Sequence, residues 1–191
     1  MMLIKPEDTF LFIDTETTGF KKSGNAIQGG QARVCQVAML LTDCVGRSLM
    51  EVSTLVKPDI YGWEISEGAY KTHGFTKEQC EAFGIQQHEM MQLFLFMAGK
   101  CTKLIAHNAE FDHGMMLIEL AHYGVETELR EWFCTMKTNT HLTGGKWPKL
   151  EEALMKLCQR ELGEYAHDAM YDVKACRDIF FAMHKGQGNL L

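Results

Sequence analysis

The chain has 191 residues, 46% hydrophobic and 23% charged with 3 Pro, the ordinary composition of one globular domain large enough to bury a core. Its net charge of −6 (19 basic, 25 acidic) argues against a protein that coats nucleic acid through a broad basic surface, although it allows a local grip on a strand end. No stretch approaches the ~18 apolar residues of a membrane helix, and MMLIKPEDTF lacks the basic-then-apolar pattern of a secretory signal, so a cytoplasmic location is expected.

In chain order, Phe10 to Thr15 reads as a buried strand, and KKSGNAIQGGQ after it as a Gly-rich polar loop. Val34–Leu41 and Leu49–Val56 read as a second and third strand. Thr76-Lys77-Glu78-Gln79 has the spacing of a capping box and predicts a short helix that stops near Gly84. Residues 86–98 predict an apolar helix ending at Gly99. Residues 103–107 predict another strand, and Phe111 to Tyr123 a helix with Gly124 as its cap. WFCTM (132–136) predicts a last short strand, and Leu150–Cys158 and Ala169–Met183 two more helices. Strands that cluster early and then alternate with helices define an α/β layer fold with one central sheet, and the whole chain 1–191 reads as a single domain. Seven Cys without C-x-x-C spacing fit reduced thiols rather than a zinc or redox motif.

Three acidic clusters sit at predicted strand ends or helix starts, the edge where α/β folds place their sites. Asp14 and Glu16 are two apart on a strand and therefore project to one face, with Thr15 opposite. Like charges that close raise each other's pKa unless a cation intervenes. Mg²⁺ and Mn²⁺ prefer such oxygen ligands, and a bound ion would reverse the local sign. Asp112 falls in the first turn of its helix, within IAHNAEFDHG. His167 precedes the last predicted helix and Asp172 lies within it, so the two meet at one site only if His167 is on the loop. Each cluster alone also fits a solvated strand end, a first-turn Asp, or an Asp168 N-cap beside an ordinary loop histidine; together they point to metal-assisted acid–base chemistry, with His167 suited to proton transfer near neutral pH.

These residues resemble the DEDDh (DnaQ-like) 3′→5′ exonucleases of the ribonuclease-H-like superfamily. The matching motifs are Asp14-x-Glu16 within DTETTG, His107-Asn108-Ala109-x-Phe111-Asp112, and His167-x-Ala169-x-x-Asp172; His73-Gly74-Phe75-Thr76 resembles a further segment of the family. The resemblance runs from about residue 9 to 183 and implies a central mixed five-stranded sheet flanked by helices. It implies that Asp14, Glu16, Asp112 and Asp172 bind two Mg²⁺ or Mn²⁺ ions and that His167 is the general base. It implies that Thr17, His73 and Phe111, with Asn108 as a weaker contact, hold a 3′-terminal nucleotide. The expected activity is hydrolysis at the 3′ end of DNA, preferably single-stranded, releasing nucleoside 5′-monophosphates in proofreading or repair. The alternatives are action on RNA or short oligoribonucleotides, and a non-catalytic module bound to a polymerase or sliding clamp. The long loop 21–31 departs from the family pattern. The chain also stops soon after the third motif, so a polymerase or clamp association is allowed but unsupported; a monomer or a homodimer fits equally.

Two further stretches invite functional readings. Residues 137–150 carry Lys137, Lys146 and Lys149 and no acid, which suits phosphate attraction, and Trp147 beside them suits stacking on a base; the expectation for Trp147 is nevertheless a core anchor. Gln92-Leu93-Phe94-Leu95-Phe96 resembles a clamp-binding peptide, but it lies within a predicted apolar helix and core packing is the expectation.

Overall fold

The computed structural model describes residues 2–24, 27, 30–58, 62–163 and 168–185. Five strands, β1 (Phe10–Thr17), β2 (Val34–Thr42), β3 (Ser48–Leu55), β4 (Lys103–Ala106) and β5 (Trp132–Cys134), form one sheet in the order β3-β2-β1-β4-β5. The β3, β2 and β1 strands pair antiparallel, whereas β4 is parallel to both β1 and β5. This is the mixed five-stranded, ribonuclease-H-like arrangement expected from the sequence.

The central strand β1 is covered on both faces, which explains its continuous apolar run. Leu11 and Ile13 enter a core with α3 (Gln87–Ala98) and α4 (Ala109–Tyr123), built from Met90, Met91, Phe94, Met115 and Ile118. Phe10 and Phe12 point the other way, into a core with Val173, Cys176 and Phe180 of α7 (Ala169–Met183); the Phe10 and Phe180 rings lie 4.9 Å apart. Spaced by three and four, those α7 residues form one stripe, the i, i+3, i+7 pattern of a docked helix.

The remaining helices are α1 (Glu67–His73), α2 (Lys77–Phe83), the single turn α5 (Thr135–Thr138) and α6 (Leu150–Cys158). The capping box of α2 forms as expected, with the Gln79 N–H donating to Thr76 Oγ1 and the Thr76 N–H to Gln79 Oε1. By contrast α1 was not foreseen. It has ends of ordinary chemistry, a Ser66 N-cap and Gly74 in the left-handed region at φ 74°, but buries no residue, so it leaves no hydrophobic period to read. Residues 132–136 divide: the strand ends at Cys134, whose sulfur accepts the Lys137 N–H and so turns the chain into α5. In α3, the clamp-like peptide is a regular helix that is core only in part: Phe94 is fully buried and Leu93 and Leu95 pack against the core, but Phe96 is 55% exposed. All seven Cys are unpaired thiols, four of them buried.

A buried ion pair joins the far end of the long loop to α4. Arg33 Nε and Nη2 donate to Glu119 Oε1 and Oε2 at 3.1 and 2.9 Å, and the Val34 N–H adds a third bond to Oε1 at 2.8 Å. Gln87 of α3 donates to the same carboxylate. Burial pushes the Glu119 carboxyl up, and Arg33 only partly offsets it.

Gly84 is required by close approach. A Cβ there would stand 2.5 Å from the Cys80 carbonyl oxygen and 2.8 Å from Lys57 N, both backbone atoms that cannot swing aside. Gly84→Ala is expected to cost about 2 kcal/mol and to lower Tm by roughly 5 °C, measured by thermal melts against wild type; an unchanged Tm would mean that this backbone gives way. Among the described residues no helix is long and apolar enough to cross a membrane.

Candidate active site

Strands β1, β4 and β5 are parallel, so their C-terminal ends share one edge of the sheet. The acidic residues gather there. Asp14 and Glu16 lie inside β1, which runs two residues beyond the expected end at Thr15. Their even-numbered face is the one that α7 covers, and Asp172 sits in the first turn of α7. Asp112 arrives from the other side of the sheet, on α4. It is 2% exposed, and its Oδ1 accepts both the backbone N–H (3.0 Å) and the hydroxyl (2.8 Å) of Thr15. Thr15 thus faces away from Asp14 and Glu16, as alternation requires, and uses that position to hold the third acid.

The α4 helix starts at Ala109, two residues earlier than expected. Asn108 adopts φ 76° and ψ 47°, one of two described non-glycine residues with positive φ. Asparagine tolerates this conformation better than most residues, and it lets the chain turn from strand into helix directly after His107. The His107 ring braces the turn. Its Nε2–H donates to the Pro148 carbonyl at 3.0 Å, and its Nδ1 lies 2.9 Å from the Thr135 hydroxyl. Burial holds its pKa below the usual value, so the ring is neutral and Nδ1 is the acceptor. His107 is therefore a strap across three segments, a role that the motif did not suggest.

Electrostatics identify the acids as one group. Asp14 is raised well above the ordinary carboxylate range, first by burial and then by Asp112, Glu16 and Asp172. Glu16 is pushed up to about 8 by burial, followed by Asp172 and Asp112. Burial pushes Asp112 up to about 7 despite the bonds from Thr15. Among the described residues, no three His, Cys, Asp or Glu side chains stand together as a metal-holding group; what relates the four acids is the electrostatic pressure of Asp112, Glu16 and Asp172 on Asp14. His167 lies outside the described residues. Its neighbour Asp168 is the N-cap of α7, accepting the N–H groups of Met170 and Tyr171 at 3.1 Å.

The four residues expected at the nucleotide fall into two places. Thr17 is buried beside the bulge where β1 and β2 change register, and its hydroxyl donates to the Gly19 carbonyl at 2.8 Å. His73 meets it: Nε2 lies 3.2 Å from the Thr17 carbonyl, while the Phe75 N–H donates to Nδ1 at 3.0 Å. With Nδ1 occupied as an acceptor, the neutral ring carries its proton on Nε2 and donates it to Thr17. Asn108 is exposed and Phe111 half-buried at the start of α4. Beside the turn that follows Thr17 opens a cleft of about 1130 Å³ lined by Thr18, Gly19, Phe20, Lys21, Trp63 and Ser66. Phe20, 86% exposed, was not singled out from the sequence, because a lone aromatic in a polar loop carries no pattern.

Trp147 corrects the sequence reading. It is 64% exposed rather than a core anchor, and the neighbouring Pro148 is buried in its place.

An α/β domain with a mixed five-stranded sheet and four acids on one strand-end edge is the class of a metal-assisted phosphodiester hydrolase. The exonuclease (RNase T) family profile matches residues 11–180, and the chain belongs to that family, of the DnaQ-like 3′→5′ exonuclease type that its motifs resemble. It is 27% identical over 188 residues to the DNA polymerase III subunit epsilon of Haemophilus influenzae, covering 94% of this chain and 69% of that protein. The Escherichia coli subunit epsilon is 24% identical over 189 residues, with 94% and 73% coverage. Among solved structures, E. coli exonuclease I in complex with a dA16 oligonucleotide superposes with a TM-score of 0.74 at 21% identity, over 96% of this chain. The chain spans 42% of the exonuclease I chain, so that likeness carries the fold and not the whole protein's activity.

Proposed function

We propose that the protein removes nucleotides from the 3′ end of single-stranded DNA, releasing nucleoside 5′-monophosphates, with two Mg²⁺ or Mn²⁺ ions held by Asp14, Glu16, Asp112 and Asp172. The observation that carries the reading is the convergence of four carboxylates from β1, α4 and α7, three of which, Asp14, Glu16 and Asp112, have pKa values raised chiefly by burial. An all-oxygen donor set of this charge suits hard divalent cations, and partly buried like charges are costly without them. When bound, such ions activate water and stabilise the oxygen that leaves the phosphorus.

The chain's own residues supply the rest. Thr15 fixes Asp112 by two hydrogen bonds to one oxygen. His167, one residue before the Asp168 cap, takes the proton of the attacking water as general base. The terminal nucleotide lies against Thr17 and His73 at the end of β1 and against Asn108 and Phe111 at the start of α4. DNA is favoured over RNA because the polymerase subunits and the oligonucleotide-bound exonuclease I among its relatives act on or hold DNA. The reading places the protein in the cytoplasm, in proofreading or repair.

A 3′-end-labelled oligodeoxynucleotide and its RNA counterpart, incubated with and without Mg²⁺ or Mn²⁺, test this. The expected result is metal-dependent shortening of the DNA from its 3′ end, with the RNA slower. No shortening of either strand would reject the proposal, and faster decay of RNA would change its substrate.

A further inference from the structure

The exposed indole of Trp147 has no place in the core, and the structure ties it to the catalytic edge twice. The carbonyl of Pro148, the next residue, accepts the Nε2–H of His107 immediately before Asn108. Lys137 Nζ stands 6.0 Å from the centre of the Trp147 ring and also pairs with Glu110, two residues before Asp112 on α4. A large apolar ring is thus held in water beside the β5 end of the site.

The segment that carries it is basic, although Lys137 pairs with Glu110 and Lys149 with Glu151. Residues 137–150 contain Lys137, Lys146 and Lys149 and no acid, in a chain of net charge −6. Lys146 and Lys149 are both exposed, and Lys149 Nζ lies 3.7 Å from Glu151 Oε1. A stacking surface flanked by cations is the chemistry that holds a single strand without reading its sequence, through a base on the ring and phosphates on the lysines.

We propose that Trp147, Lys146 and Lys149 form a platform for the strand upstream of the scissile phosphate, so that single-stranded DNA leaves the catalytic edge over the β5 side. The proposal rests on the exonuclease reading of the acids and adds three residues outside them. Stacking at this point makes strand length a determinant of affinity, while the chemistry at the terminal nucleotide is untouched.

The test compares the full-length wild type, Trp147→Ala and Trp147→Phe on an oligothymidylate and on the p-nitrophenyl ester of thymidine 5′-monophosphate, which is too short to reach the platform. Trp147→Ala should raise KM for the oligonucleotide roughly ten-fold, leave kcat and the ester reaction at wild-type values, and be largely rescued by Trp147→Phe. Unchanged ester turnover also verifies that the variant is folded. Replacing Lys146 and Lys149 together by Ala should flatten the slope of log affinity against log salt by about 1.4, two phosphate contacts at ~0.7 each. A wild-type KM for the oligonucleotide in Trp147→Ala overturns the stacking role, and an unchanged salt slope overturns the phosphate role. A wild-type enzyme that cleaves neither substrate instead removes the exonuclease reading, and this one with it.

Discussion

Asp14→Asn is expected to abolish hydrolysis and, at the same time, to raise the melting temperature of the metal-free protein. The two effects have one cause. Asp14 shares its buried edge with Asp112, Glu16 and Asp172, which all act to keep it protonated. Removing its charge removes several kcal/mol of transition-state support, a fall of about a thousand-fold or more in turnover. It also relieves a repulsion that the folded state bears and the unfolded chain does not. The sign of the pH dependence follows. Glu16 rises from 4.5 to about 8 on folding and Asp112 from 3.8 to about 7. For a group whose pKa is higher in the folded state, the folded form binds more protons, so stability is full below the unfolded pKa and falls as pH rises through the folded one. The metal-free wild type should therefore lose stability between about pH 5 and 8, by an order of 10 °C in Tm, and Asp14→Asn should lose less. Mn²⁺ should restore the loss, most strongly near pH 8 where protons no longer compete. Thermal melts of both proteins across that range, with and without Mn²⁺, provide the check. A wild-type Tm that climbs from pH 5 to 8 without metal would contradict the electrostatic picture, and substantial activity in Asp14→Asn would contradict its role.

The second large effect concerns stability. Glu119→Ala leaves the Arg33 guanidinium buried with its carboxylate gone, and it also strips the Val34 N–H and Gln87 of their acceptor. Breaking a buried pair from one side costs about 3–5 kcal/mol, which for a domain of this size lowers Tm by roughly 10 °C. Arg33 also donates its N–H to Thr18 Oγ1 and accepts the Thr18 N–H, so the loss reaches the turn beside the cleft. Denaturant unfolding gives the energy directly. A double variant in which Arg33→Met accompanies Glu119→Leu should regain much of the loss, because a matched apolar pair has no stranded charge. If Glu119→Ala alone were neutral, the guanidinium would have found water.

Much of this was legible in the sequence where residues act through local pattern. The apolar run of β1, the capping box at Thr76 and the stripe of Val173, Cys176 and Phe180 each declare their element. The same holds for the acids, whose spacing placed Asp14 with Glu16 and set Asp112 and Asp172 at helix starts. What stayed hidden depends on contacts across the fold. No spacing relates Thr15 to Asp112, or His107 to Pro148, because chain neighbours do not encode which strand lies beside which loop. Helix α1 was invisible because it buries nothing. Trp147 was misread because an isolated aromatic next to a proline suits a core and a surface alike, and here Pro148 fills the interior position.

The central strand and the last helix meet only at the end of the chain's own order. A polypeptide interrupted ahead of Ala169 already contains Asp14, Glu16 and Asp112 but not Asp172, and the Phe10–Phe12 face of its sheet has no α7 to cover it. During synthesis the acid set is therefore incomplete until nearly the whole domain has left the ribosome. Docking of α7 closes the core and supplies the fourth carboxylate in a single event, so under the proposed metal site a partly made copy is expected to lack activity while that core is still open.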